Sequence, residues 1–131
     1  MFTLALQFFD ATGKPDEHVV RDTRKKIKTD TAKTLRCKSC GHVITSENER
    51  ITINDSHQHT CKNPSGFVFT FGCFRDAPGC LVAGPASMEH TWFAGYRWQI
   101  AICASCGDHL GWLFRNQDRF FALIIDKLKL G

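Results

Sequence analysis

The chain has 131 residues, 43% hydrophobic and 23% charged, and a net charge of +4. This is length for one domain with one core. The modest charge argues against a nucleic-acid binder, and no uninterrupted apolar run is long enough to span a bilayer.

Residues 1–34 read as an amino-terminal extension and 35–131 as the folded domain. Met1–Phe9 is apolar but lacks the basic start and small-residue cleavage site of a signal peptide. Residues 1–15 alternate weakly up to the turn Gly13-Lys14-Pro15, which suits an edge strand. A short helix capped by Asp16 is expected over 16–28, and its basic run Arg24-Lys25-Lys26-Ile27-Lys28 reads as a solvated face. From Leu35 the pattern changes to short strands. His42–Thr45 and Ile51–Ile53 are expected to pair around a turn at Glu47-Asn48-Glu49, and His57–Gly66 reads as a loop ending in the turn Asn63-Pro64-Ser65-Gly66. Phe67, Phe69, Phe71 and Phe74 mark an aromatic strand, with a bulge expected at Gly72. Turns follow at Asp76–Gly79, Gly84-Pro85 and Phe93–Tyr96. Trp98–Ile102 reads as a strand, and Phe120–Ile125 as a closing strand or short helix. The fold class expected is mostly β.

Seven cysteines are present. Cys37/Cys40 and Cys103/Cys106 form two Cys-x-x-Cys pairs, each followed by glycine, Gly41 and Gly107. Residues 41–102 separate the pairs, room enough for a whole sheet between the halves of one site. Four thiolates around zinc leave no open coordination position, so such a site is structural. The competing reading is two metal-free pairs, or one redox dithiol. Cys61, Cys73 and Cys80 are left over. An odd remainder does not suit a secreted disulfide framework and fits a reducing compartment, hence a cytoplasmic location. His57, His59 and Cys61 could also be read as metal ligands, but four thiolates make them unnecessary. His42, His90 and His109 are expected to bond backbone near turns. No phosphate loop, nucleophile elbow or carboxylate pair is present.

All three tryptophans, Trp92, Trp98 and Trp112, fall within residues 89–112. Two readings stand side by side: the indoles fill a small core, or they wall an aromatic pocket beside the second knuckle.

The segments CKSCGHVI (37–44), NPSG (63–66), GPASMEHTWFAGYRW (84–98) and CASCGDHLGWLF (103–114) together resemble the thalidomide-binding (CULT) domain of the cereblon family, over roughly residues 35–125. The resemblance implies a β-tent: two antiparallel sheets meeting at a steep angle, pinned by one structural zinc on Cys37, Cys40, Cys103 and Cys106. It also implies a cage of Trp92, Trp98 and Trp112 for a cyclic imide such as glutarimide. Phe114 would be its floor, Glu89, His90, Thr91 and Trp92 a hydrogen-bonding rim, Asn63 and Pro64 an outer lip, and Phe69 a further contact. The expected function is a non-enzymatic binding module for cyclic imides, including a cyclised C-terminal Asn or Gln on a peptide. The alternatives are an aromatic-cage reader of methylammonium groups and an enzyme similar to methionine sulfoxide reductase, which would need Cys61, Cys73 or Cys80 as nucleophile. The chain carries no counterpart of the adaptor-binding helices of the full-length family, so a ubiquitin-ligase adaptor is not expected as a partner.

Overall fold

A computed structural model describes residues 33–131. The strand and helix expected within the 1–34 extension fall, up to residue 32, outside the described residues. The fold is mostly β, as expected, in two antiparallel sheets. The strands are β1 (Thr34–Cys37), β2 (Val43–Ser46), β3 (Gln58–Lys62), β4 (Val68–Phe74), β5 (Cys80–Ser87), β6 (Arg97–Cys103), β7 (His109–Arg115), β8 (Arg119–Ile124) and β9 (Leu128–Leu130). A small sheet has the order β2-β1-β9 and a larger one β3-β4-β8-β7-β6-β5.

Alternation along the large sheet separates two apolar layers. Phe74, Leu113, Phe121 and Leu123 share one layer with Leu35, Cys37 and Ile44 of the small sheet. Phe71, Trp112, Phe114, Phe120 and Ala122 project into the other, where Phe69, Trp92 and Trp98 pack against them. Strand β4 serves both: Phe71 and Cys73 belong to the second layer and Phe74 to the first. The aromatic strand is therefore two-faced, with its outer Phe67 exposed.

Several local expectations change. Ile51–Ile53 forms no strand and makes only isolated bridges, Arg50 to Phe74 and Ile53 to Ser56. His57 Nδ1 sits 3.0 Å from the Ile51 carbonyl and His59 Nε2 3.0 Å from that of Ile53, which also accepts from the Ser56 N–H at 3.1 Å, so this segment is held by local bonds and side chains in place of a ladder. Gln58–Lys62, expected as loop, is instead β3, paired with β4 from Gln58↔Gly72 to Lys62↔Val68. Its half-buried positions are His59 and Cys61, which hide the alternation from a hydrophobicity pattern. No bulge occurs at Gly72; a Cβ there would lie 2.6 Å from His57 Nε2, so glycine makes room for the imidazole. Gly84-Pro85 does not end a strand. The chain bulges between Ala83 and Ser87 with Gly84 at φ +79°, and β5 continues. The turn at 93–96 forms, with the Tyr96 N–H on the Phe93 carbonyl at 3.0 Å.

Candidate functional site

The two knuckles share one construction. At the end of β1, the Cys37 N–H donates to the His42 carbonyl (2.8 Å) and the Gly41 N–H to that of Cys37 (2.8 Å). At the end of β6, Cys103 donates to Asp108 (2.8 Å) and Gly107 to Cys103 (2.9 Å). Gly41 and Gly107 sit at φ +83° and +79°, left-handed positions that favour glycine. The turns bring the four sulfurs within 4.8 Å of one another, and among the described residues they form the one group of metal-type ligands. Cys37 and Cys106 Sγ are 3.7 Å apart, Cys40 and Cys103 Sγ 3.6 Å. Four sulfurs at about 2.3 Å from a tetrahedral ion stand about 3.8 Å from each other, so this set fits and could hold a metal ion. The Cys40 thiol, favoured as thiolate by the His42 backbone N–H, is brought down to about 7. At Cys106 the Asp108 backbone N–H also favours the thiolate, but desolvation and the three neighbouring sulfurs outweigh it and push that thiol up to about 12. Thiols this close cannot all ionise without a cation among them. Asp108 ties the knuckles together, accepting from Ser39 Oγ at 3.0 Å and pairing with Lys127 Nζ at 3.2 Å.

His57, His59 and Cys61 do not form a second such cluster, and both imidazoles face backbone carbonyls. His109 also bonds backbone, through Nε2 to the Gly111 carbonyl at 2.9 Å.

On the second apolar layer lies a cavity of about 440 Å³. Asn63, Pro64, Phe69, His90, Trp92, Trp98, Trp112 and Phe114 line it. Glu89 and Thr91 do not. Glu89 offers its backbone carbonyl to the Trp98 indole N–H at 2.9 Å, and the Thr91 hydroxyl turns back to the Phe93 carbonyl at 3.3 Å. Ile100 and His109 complete the lining. Ile100 was legible as the residue two along from Trp98 and hence on its face. His109 was not, because a bulge between Ala101 and Ile102 resets the register and brings it opposite Ile102.

The walls differ in how they are held. Trp92 stacks on Phe71 (centroids 5.6 Å, 10°) and meets Trp112 edge to face at 4.9 Å. Trp112 is backed by His109 at 5.0 Å and Phe69 at 5.1 Å. Trp98 lines the same cavity without a ring contact to any other described aromatic residue. It packs against the second apolar layer, but its indole does not stack on or meet the rings of the other two. The rim loop carries His90 at φ +58°, a left-handed conformation uncommon outside glycine. The backbone N–H and C=O of His90 and the N–H of Trp92 have no protein partner among the described residues. Among the described residues no Asp, Glu, Lys, Arg or Cys lines the cavity.

Among curated proteins the chain is similar to cereblon from Gallus gallus, 37% identical over 82 residues. It is likewise similar to cereblon from Danio rerio (36% over 87) and Xenopus tropicalis (35% over 82). These matches cover 61–65% of this chain but only 18–20% of those proteins, so the chain corresponds to about a fifth of their length. No family model matches.

Proposed function

From the premise that this chain carries a cereblon-like (CULT) domain, we propose that it is a binding module for cyclic imides. The ligand is a glutarimide-type ring, free or formed by a cyclised C-terminal Asn or Gln of a peptide. Trp92, Trp98 and Trp112 enclose its methylenes, with Phe114 beneath and Asn63, Pro64 and Phe69 at the margin. Cys37, Cys40, Cys103 and Cys106 hold one structural zinc.

The observation that carries this reading is one cavity lined by all three indoles, with no ring contact from Trp98 to the Trp92/Trp112 pair and no charged residue among the described lining. Indoles that served only as core would close on one another, as Trp92 and Trp112 do. The unpartnered rim backbone at His90 and Trp92 offers the donors and acceptor that an imide N–H and its carbonyls require. A methylammonium ligand is less well served, because no carboxylate of the described residues lines the cavity. The reductase-type alternative needs a reactive thiol there. Instead burial pushes the thiols of Cys73 and Cys80 up to about 12 and also raises that of Cys61, and none of the three lines the cavity. The proposal is confined to this domain, takes binding rather than catalysis as its role, and includes no ubiquitin-ligase adaptor, nucleic acid or membrane as partner.

The test is a fluorescence titration with glutarimide, N-methylglutarimide and tetramethylammonium. Only the three cage indoles emit as tryptophan, so ring entry is read directly. Saturable binding of glutarimide with loss on N-methylation is expected. Equal affinity for the two imides, or a preference for the cation, would overturn the reading.

A further inference from the structure

The second feature lies beside the cavity, at the edge of the large sheet. Among the described residues strand β5 pairs only with β6 and forms that edge. Its first half is open to solvent on both faces, with Leu81 55% and Val82 38% exposed. Edge strands are ordinarily blunted with charge, proline or a bulge; Pro85 and the bulge blunt the second half of β5, whereas Cys80–Ala83 carries none of the three.

The hydrogen-bond pattern fixes which backbone groups are free. The Ala104 N–H donates to the Gly79 carbonyl at 2.9 Å, in register with Cys80↔Cys103 and Val82↔Ala101. Antiparallel pairs alternate between bonded and non-bonded. Leu81↔Ile102 and Ala83↔Ile100 are therefore the bonded pairs, while the N–H and C=O of Val82 point away from β6. The Cys103 N–H agrees, since it is used on the far side by Asp108. Among the described residues no second strand lies on that side of β5, and no bond outside the ladder reaches the Val82 backbone.

The side chains join this edge to the cavity. Ile100 lines the cavity and stands opposite Ala83 on the same face, and Leu81 stands opposite Ile102. An apolar strip thus leaves the cavity at Ile100 and reaches the edge at Leu81. Adjacent strands lie about 4.8 Å apart, so an added strand beyond β5 would run about 10 Å from β6. About three extended residues cover that distance.

Resting on the cyclic-imide reading, we infer that the ligand is the end of a polypeptide, and that the uncharged, extended segment before the ring adds as a strand to the β5 edge. Its main chain pairs with Val82 and its apolar side chains cover Leu81 and Ala83. Main-chain pairing makes the site tolerant of sequence, and the lack of charge on β5 favours uncharged segments.

The probes are N-acetyl-aminoglutarimide and an uncharged peptide of five residues, alternating threonine and valine, ending in the same ring. Both are titrated against the full chain and against Val82→Pro and Leu81→Lys. Val82→Pro removes an N–H that β6 does not use, and a proline is tolerated at such an edge position. Leu81→Lys keeps the backbone and changes only the strip. In the native chain the peptide is expected to bind about tenfold or more tighter than the acetylated ring, as two or so added hydrogen bonds imply. Both variants should lose that advantage while keeping affinity for the acetylated ring. Equal affinity of ring and peptide for the native chain overturns the strand-addition inference and leaves the cage intact, as does an advantage that both variants keep. So does self-association abolished by Val82→Pro, which assigns the edge to a second copy. No binding of the acetylated ring overturns the cage reading and this inference with it.

Discussion

The indole N–H of Trp92 donates to the backbone carbonyl of Lys62 at 3.1 Å, across 30 residues of sequence. One side chain is thereby both a wall of the cavity and a latch between the rim loop and the β3–β4 hairpin that carries Asn63 and Pro64. Trp98 does the same at shorter range through the Glu89 carbonyl. The loop between β5 and β6 is thus tied at Glu89 to β6 and at Trp92 to the β3–β4 hairpin.

Trp92→Phe separates these roles from simple packing. Phenylalanine keeps an aromatic face toward Phe71 but has no donor for Lys62, a loss of about 1 kcal/mol. A smaller wall also leaves the ring less enclosed. Glutarimide affinity should fall about tenfold or more with metal content unchanged, measured by titration and metal analysis on the same preparation. Unchanged affinity would show that the latch has no bearing on the site.

Metal binding should release protons. The Cys106 thiol stands at about 12 without a cation beside it, so at neutral pH it holds a proton that a metal ion must displace. Zinc added to the metal-free chain in weak buffer is expected to acidify the solution, and its affinity should fall as pH is lowered. Cys103→Ala should abolish stoichiometric zinc, whereas Cys61→Ala should leave it unaltered. Zinc uptake without proton release would contradict the four-thiolate site.

The three remaining thiols are expected to be dispensable. Cys73 is fully buried and its thiol, like that of Cys80, is pushed up by burial. The combined variant Cys61→Ala/Cys73→Ala/Cys80→Ala should retain imide binding, at some cost in stability from the space left at Cys73. A folded triple variant that no longer binds would restore the thiol-enzyme reading.

How far the sequence discloses this molecule depends on where its signals lie. The knuckles were legible because Cys-x-x-Cys followed by glycine specifies a local turn, and the structure places all four sulfurs together. The indoles were legible as a group but not as a cavity, since residue type does not tell filled space from empty space. Glu89 and Thr91 were expected in a rim that serves through its backbone; neither lines the cavity, the Glu89 carbonyl accepting from Trp98 and the Thr91 hydroxyl bonding the Phe93 carbonyl. Strand β3 was missed because its inward positions are His59 and Cys61. Ile51–Ile53 forms a tight local bridge to Ser56, with imidazoles on its carbonyls, where the alternation suggested a strand. In each case the deciding contact lies between segments whose meeting no local pattern announces.

His109 sets a pH limit on the domain. Burial, ahead of the opposing bond to Gly111 and the flanking charges of Lys127 and Asp108, lowers its pKa below the usual imidazole range. The unfolded chain therefore takes up this proton at higher pH than the folded one. Its contribution to stability is fully present above about pH 6.5 and is lost as pH falls from there through the lowered folded value. The melting temperature should drop between pH 7.5 and 5, and by less in His109→Gln. Identical pH profiles would show that this imidazole is not the group concerned.

The hairpin of β6 and β7 has a dual tenancy. One strand runs from Trp98 and Ile100 at the cavity to Cys103 in the knuckle, and the other leaves Cys106 through Asp108 to His109 and Trp112. The clasp at one end and the chamber at the other are therefore sections of the same lever. Loosening the clasp is therefore expected to slacken two chamber walls, and an occupant of the chamber to help hold the clasp shut. By thermodynamic reciprocity, whatever factor the metal adds to ligand affinity the ligand returns to metal affinity, so an occupied chamber should slow the rate at which a chelator strips the ion.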